Sequence, residues 1–161
     1  MADPKDTLIS WLRDAHAMEV AAAKNLKHNV DRFRDDPEIR DRFDAHRIFT
    51  EGQAEELERC LERLGADPST LKDTAMKLSG LMQPYMTAFS SDEQVKHLLA
   101  AHAYEHFEMA SYHALKEAAS VAGEAAIGEI CTRFMQAQRE MAEWIDSMIP
   151  KVSRRFIQQQ Q

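Results

Sequence analysis

The chain has few of the residues that make turns or covalent cross-links, and this scarcity limits its fold class. Only 5 Gly and 5 Pro occur among 161 residues, which leaves little room for the turns of a sandwich or a barrel. Its 2 cysteines, Cys60 and Cys131, are too few and too far apart for a disulfide framework or a zinc finger. Both fall on apolar helical repeats, so we expect buried free thiols. An all-α protein is favoured.

Long hydrophobic runs and an excess of positive charge are also lacking. No apolar stretch of signal-peptide length opens the chain, and no window approaches the roughly 20 apolar residues of a membrane span. We therefore expect a cytoplasmic protein without a membrane partner. The net charge of −7 argues against nucleic-acid binding, because neutralising phosphates requires a basic face. A small basic cluster at residues 151–155 is interpreted as a complement to a helix C-terminus.

Cap and stop signals divide the chain into four long helices. An Asp before a Pro supplies an N-cap acceptor and a residue suited to the first helical turn, and a Gly favours a helix stop. These signals predict helices near 4–34, 37–64, 91–122 and 124–149. The starts are marked by Asp3-Pro4, Asp36-Pro37 and the capping box of Ser90 with Glu93, and the stops by Gly65 and Gly123.

The connections predict how the helices are arranged in one domain, residues 1–161. Short loops join the first helix to the second and the third to the fourth, so each pair is antiparallel. The long connection 66–90 has enough apolar residues for one short helix, and it lets the third helix begin at the same end as the second. This is a four-helix bundle with a single crossover, as in ferritin-like folds. Pro150 is expected to break or kink the chain before a short C-terminal helix carrying Val152, Phe156 and Ile157.

Two glutamates lie on helical faces that are otherwise apolar. Glu19 belongs to a repeat at threes and fours that runs from Leu8 to Phe33, and Glu105 belongs to another from Val95 to Leu115. An ionised carboxylate in a dry core costs several kcal/mol unless it is paired, protonated or bound to a cation. Polar residues also interrupt the apolar stripes of the second and fourth helices, at His46, Thr50, Gln53 and Gln138.

Inward carboxylates on such a bundle are the frame of a dinuclear iron or manganese site. That site takes one Glu from each of two helices and a Glu-x-x-His pair from each of the other two. The second and fourth helices contain no Glu-x-x-His, so the candidate metal ligands are Glu19, Glu105 and Glu108, with Glu143 marginal. Two alternatives remain: the carboxylates are hydrogen-bonded without metal, or a mononuclear zinc or iron site forms. In the first alternative, the hydrogen-bond partners of the carboxylates are His16, His46, His102 or Tyr104. In the second, the ligands of the ion include His102 and His106.

Several longer runs resemble one known family. They are residues 11–19, 51–55, 60–69, 105–112 and 141–144. Across nearly its whole length, the chain resembles the ferritin-like bacterial stress proteins of the YciE/YciF type. The resemblance implies a ferritin-like diiron fold and, where the metal site is complete, a ferroxidase-like activity.

The resemblance also implies that the metal site of this chain is about half present. Where the family has two adjacent glutamates in the second helix, this chain has Ile48 and Phe49, and the phenyl ring is expected to fill the space of metal and water. Where the family has a run of glutamates in the fourth helix, this chain has Ala137, Gln138 and Arg139. The family's carboxylates remain at Glu19, Glu105 and Glu108.

Three functional hypotheses follow. The first is a ferritin-like stress-associated protein with a degenerate, metal-free dinuclear site and no cofactor, which acts structurally or through protein partners. The second is an oxidase that uses iron or manganese, ferroxidase-like or peroxide-handling, with an altered site and no catalytic residue yet assigned. The third is a helical interaction module whose resemblance is only architectural. A homodimer is expected, formed through apolar residues off the main stripes: Trp11, Trp144, Phe107 and Met135.

Overall fold

Four long helices make up the described part of the chain. The computed structural model describes residues 3–67 and 93–160. Helix α1 spans Pro4–Arg32, α2 Pro37–Arg63, α3 Glu93–Val121 and α4 Ala125–Gln159. These bounds confirm the four predicted helices, apart from the end of α4. The short helix predicted within the connection lies outside the described residues.

Local sequence sets the helix ends. The side chains of Asp3 and Asp36 each accept a hydrogen bond from a backbone N–H in the first turn of the following helix, at 3.0 and 3.4 Å. Both predicted N-caps are therefore confirmed. Gly65 and Gly123 follow α2 and α3 with φ angles of +75° and +76°, in the left-handed region where a glycine lets the chain leave a helix without strain.

Ion pairs between helix ends define the topology. Arg32 at the end of α1 pairs with Glu93 at the start of α3, and Arg155 near the end of α4 pairs with Asp36, the N-cap of α2, at 2.6 Å. Helices α2 and α3 therefore begin at the same end of the bundle. Each of these two helices runs the length of the bundle, so α2 and α3 are parallel, as a single crossover requires. The predicted single crossover is confirmed, with α1 packed on α2 and α3, and α4 packed on α3 and, more narrowly, on α2.

The core consists of two apolar clusters, each drawing on all four helices. One includes Leu12, Leu57, Leu115 and Phe134, and the other includes Leu26, Phe43, Leu98 and Ile145. Between them, near the middle of every helix, lies a layer of buried polar side chains. The apolar clusters hold the backbone on both sides of this layer and exclude bulk water from it.

Both cysteines are buried free thiols in the first cluster, as predicted. Burial raises the pKa of the Cys131 thiol to about 12 and also raises the pKa of Cys60. Because the thiolate is the reactive form, these two side chains act as small core hydrophobes.

Charged side chains form pairs along the outer faces of the helices. Arg47 donates to Asp44 and Glu51 within α2, at 2.9 and 2.7 Å, in the spacing that joins neighbouring turns. None of the four described helices contains a stretch apolar and long enough to cross a membrane.

The expectation of a separate C-terminal helix after Pro150 is wrong. Helix α4 continues through this proline to Gln159. Pro150 itself is exposed, whereas Met148 and Val152 on either side of it are buried. A proline deprives the carbonyl four residues earlier of its hydrogen bond, but that carbonyl belongs to exposed Asp146, where water can replace the lost donor. Burial of the apolar face then holds the helix together past the proline.

Candidate functional site

The buried polar layer brings together residues from all four helices. Helix α1 contributes Glu19, which is fully buried, and α3 contributes Glu105 and Glu108, which are 3% and 1% exposed. Helix α4 contributes Gln138, also fully buried. The members from α2, one or two turns apart on its inner face, are His46, Thr50 and Gln53. Helical periodicity predicted that these residues face inward, with Glu108 only marginal, and their burial confirms the inward orientation.

Glu19 is held by two hydrogen-bond donors. The hydroxyl of Tyr112 donates to its Oε1, and Gln138 Nε2 lies 3.5 Å from the same oxygen. Burial raises the pKa of Glu19 to about 8; the Tyr112 hydrogen bond opposes this change, and the nearby charge of Glu105 adds to it. Glu19 is therefore predominantly protonated at neutral pH.

Gln138 links α4 to both sides of the layer. Its Nε2 lies 3.3 Å from Gln53 Oε1 as well as near Glu19. One neutral amide thus joins α1, α2 and α4 at the centre of the bundle. Because the amide NH2 has two donors, it can donate one hydrogen bond to Glu19 and one to Gln53 and so connect the helices within the layer.

The carboxyl groups of α3 form the other half of the layer. His46 Nε2 lies 3.2 Å from Glu105 Oε1 and 3.3 Å from Oε2. Burial, the charges of Glu19 and Glu105, and a hydrogen bond with Glu105 all raise the pKa of Glu108. The raised pKa favours the protonated form of Glu108 beside Glu105.

Several buried polar atoms in the layer have no protein partner. They are Glu19 Oε2, Thr50 Oγ1, Gln53 Nε2, Glu108 Oε1 and Gln138 Oε1. A buried polar group without a partner costs about 1–3 kcal/mol, so four unpartnered oxygens and one unpartnered amide nitrogen in a single layer favour a small polar guest, such as water or one cation.

The residues present do not fit a pair of metal ions. A dinuclear centre of this fold draws four carboxylates and two imidazoles from its four helices, whereas this layer offers three carboxylates and one imidazole, and only neutral Gln138 from α4. Two divalent ions would lack both donors and compensating charge. Across residues 3–67 and 93–160, no three His, Cys, Asp or Glu side chains are grouped so as to hold a metal ion.

Two predicted features of the layer are wrong. Phe49 does not fill a vacated ligand position, since it is 43% exposed and only stacks beside the His46 ring, with centroids 6.3 Å apart. Ile48 is 57% exposed. The inward stripe of α2 passes through Thr50 and Gln53, so residues 48 and 49 lie on other faces of the helix.

Among the predicted hydrogen-bond partners, His46 is confirmed as the partner of Glu105. Tyr104 instead donates to the Met18 carbonyl at 2.8 Å. His102 faces Asp146 near the surface, and Glu143 is exposed. Tyr112 was not predicted as a partner, although its place on the Glu105 stripe, two turns further on, was the available signal.

The fold and its buried carboxylates define a ferritin-like four-helix bundle. The chain belongs to the family described as a domain of unknown function, DUF892, whose model matches residues 3–158.

Two solved structures are similar to this chain. A protein from Xanthomonas campestris pv. campestris is 31% identical, with 99% of each chain covered and a TM-score of 0.82. Ferritin-like, diiron-carboxylate proteins from Bacillus anthracis are 17% identical, with 92% of this chain and 99% of that chain covered and a TM-score of 0.73. At 17% identity, the second similarity establishes the fold alone.

Proposed function

We propose that this chain is a stress-associated protein of the YciE/YciF type in which a hydrogen-bonded polar layer replaces the dinuclear centre. It acts as a structural or partner-binding protein. The observation that carries the proposal is the position of Gln138, whose amide donates toward Glu19 and Gln53 at the centre of the bundle.

The charge of the layer supports this proposal. Burial raises the pKa of Glu19 to about 8 and raises that of Glu108 as well, so both carboxyls favour the protonated form when no cation is bound. The hydrogen bonds of Tyr112 and Gln138 to Glu19, and of Gln138 to Gln53, join all four helices. This connection between the helices does not require metal.

A second candidate function rests on the unpartnered oxygens of Glu19, Thr50, Glu108 and Gln138. One iron or manganese ion, held by Glu19, Glu105, Glu108 and His46, would use hard oxygen donors and an imidazole that suit these metals. When bound, such an ion supplies the redox chemistry of an oxidase or of a peroxide-handling enzyme. The three carboxyl side chains would have to move to reach one ion, because their present arrangement does not hold one.

Metal analysis of protein purified without chelator separates the two functions. The first predicts less than stoichiometric iron and manganese after anaerobic incubation with either ion, and no ferroxidase activity. If the wild-type chain holds one equivalent of metal and Glu105→Gln loses it, the first function is contradicted and the second is supported.

Restoring carboxylates should restore metal uptake if the dinuclear centre has been lost by substitution. The positions to change are Gln53 and Gln138, since both face the layer, whereas Phe49 does not. We expect the double variant Gln53→Glu/Gln138→Glu to bind iron or manganese. Gln136→Glu, the same change at an exposed position of α4, is the matched control. No gain of metal in a folded double variant would contradict the proposed loss.

We also propose a homodimer formed through the outer face of α1 and α3. Trp11 is 42% exposed and Phe107 39% exposed, and large exposed aromatic side chains are enriched at interfaces. Met135 is buried in the core and Trp144 packs edge-on against Phe43, so these two residues do not extend that surface.

A further inference from the structure

A groove on the outer side of the α3–α4 pair collects side chains that bind transition metals. It has a volume of about 730 Å³. Helix α3 lines it with three histidines, and α4 lines it with one basic and two acidic side chains. These residues are His102, His106, His113, Arg139, Glu143 and Asp146. None of them belongs to the buried layer or is used by the proposed function.

Two of the histidines and one carboxylate lie close together. The rings of His102 and His106, one helical turn apart, have centroids 4.7 Å apart. Across the groove, Asp146 Oδ1 lies 4.0 Å from His102 Nε2. Because α3 and α4 are antiparallel, the residue one turn before Asp146 lies opposite His106, and that residue is Glu143. The groove thus presents two imidazoles from one helix and two carboxylates from the other.

We propose that this groove binds one late first-row divalent ion of the zinc class through His102, His106 and Asp146. Two histidines four residues apart on one helix present ring nitrogens to a single ion, and a nearby carboxylate completes a common zinc ligand set. As the side chains now lie, they form pairs and no group of three. The Asp146 side chain is 74% exposed, and the proposed ion requires it to turn toward the two rings.

The charge and access of the groove suit a cation. Glu143 and Asp146 outweigh Arg139, so the groove is net negative when its histidines are neutral. The His102 side chain is 31% exposed and His106 is exposed, which lets a hydrated ion enter from solvent. The competing interpretation is an ordinary surface contact between His102 and Asp146 that binds no ion.

Calorimetric titration of the full chain with Zn²⁺ at neutral pH tests the site. We expect one ion per chain, with affinity lowered at least about tenfold by His106→Gln or by Asp146→Asn, since even groups that only orient a ligand are worth that much. Titration with Co²⁺ should give the visible bands of a bound ion and lose them in the same variants. Each variant changes a surface side chain, and thermal unfolding without metal checks that it folds.

Matched controls locate the bound ion. His113→Gln changes a histidine of the same groove that lies about 10 Å further along the helix than His106, so zinc affinity should be unchanged. Glu105→Gln reports on the buried layer and should also leave zinc affinity unchanged. No zinc binding, zinc binding that survives both groove variants, or binding lost in Glu105→Gln would each overturn the proposal.

Discussion

Burial of Glu19 makes the stability of the protein depend on pH. The pKa of this carboxyl is about 8 in the folded chain, against an ordinary value of 4.5. Between these values the folded chain retains a proton that the unfolded chain has released. The free energy of unfolding therefore falls as pH rises from about 4.5 to about 8, and the contribution of Glu19 is complete only below that window. The pKa of Glu108 is shifted in the same direction.

Glu19→Gln should reduce this pH dependence, because the amide mimics the protonated carboxyl and still accepts the Tyr112 hydrogen bond. At pH 9 we expect the variant to be more stable than the wild-type chain by at least about 1 kcal/mol, the equivalent of less than one unit of pKa shift. Urea unfolding at pH 5 and pH 9 measures the difference. Glu55→Gln, at a side chain that is 73% exposed, is the control. Parallel pH profiles for Glu19→Gln and wild type would show that Glu19 does not titrate as inferred.

At the scale of single residues, the sequence predicts which side chains face the core better than it predicts their hydrogen-bond partners. The repeats at threes and fours placed Glu19, Glu105 and Gln138 inward correctly, because helical geometry fixes which face a residue occupies. They did not identify Tyr112 as the donor to Glu19, since that contact depends on how α1 and α3 are aligned along the bundle. The packing of whole helices sets this alignment, and a local sequence pattern does not predict it. The roles of Glu19, Glu105 and Glu108 as metal ligands stay a prediction.

At the scale of helices, Pro150 shows how packing overrides a local stop signal. The amphipathic face of α4 continues across the proline, with Met148 before it and Val152 after it both buried. By contrast, the caps at Asp3 and Asp36 and the glycines after α2 and α3 were predicted correctly. Caps and glycine stops depend on residues within one helical turn, so the sequence alone predicts them. Whether a helix continues through a proline depends also on what the helix packs against.

Pro150→Ala should stabilise the protein. The substitution restores a backbone N–H that can donate to the Asp146 carbonyl and removes the clash of the ring with that carbonyl. A proline in a helix interior costs about 3 kcal/mol relative to alanine, and since its position here is solvated, we expect a gain of about 1–3 kcal/mol. Urea unfolding measures it, with Ser153→Ala as a control for a simple gain in helix propensity. Unchanged or lower stability would contradict the expected gain and show that the proline is accommodated in this helix without cost.

At the scale of the whole molecule, the single crossover explains why the polar layer is central. Each helix crosses the full bundle, so one residue near the middle of each reaches the same level: Glu19, Gln53, Glu108 and Gln138. The apolar clusters on either side, not the layer, supply the burial that drives folding. A layer with few metal ligands is therefore compatible with this fold, which is why sequence could predict the architecture while leaving the chemistry open.

The outer face of α1 and α3 is the surface on which association should depend. Trp11 lies two turns before Met18 on the same side of α1, Phe107 lies one turn after Tyr104, and the Tyr104 hydroxyl donates to the Met18 carbonyl. Both exposed aromatic side chains therefore lie beside the same helix–helix contact. Trp11→Ser/Phe107→Ser should weaken the dimer at least about tenfold in sedimentation experiments, since buried aromatic anchors contribute more than about 1.4 kcal/mol. Val121→Ser removes a more exposed apolar side chain at the far end of α3 and should change nothing. A wild-type chain that sediments as a monomer at high concentration would contradict the expected dimer.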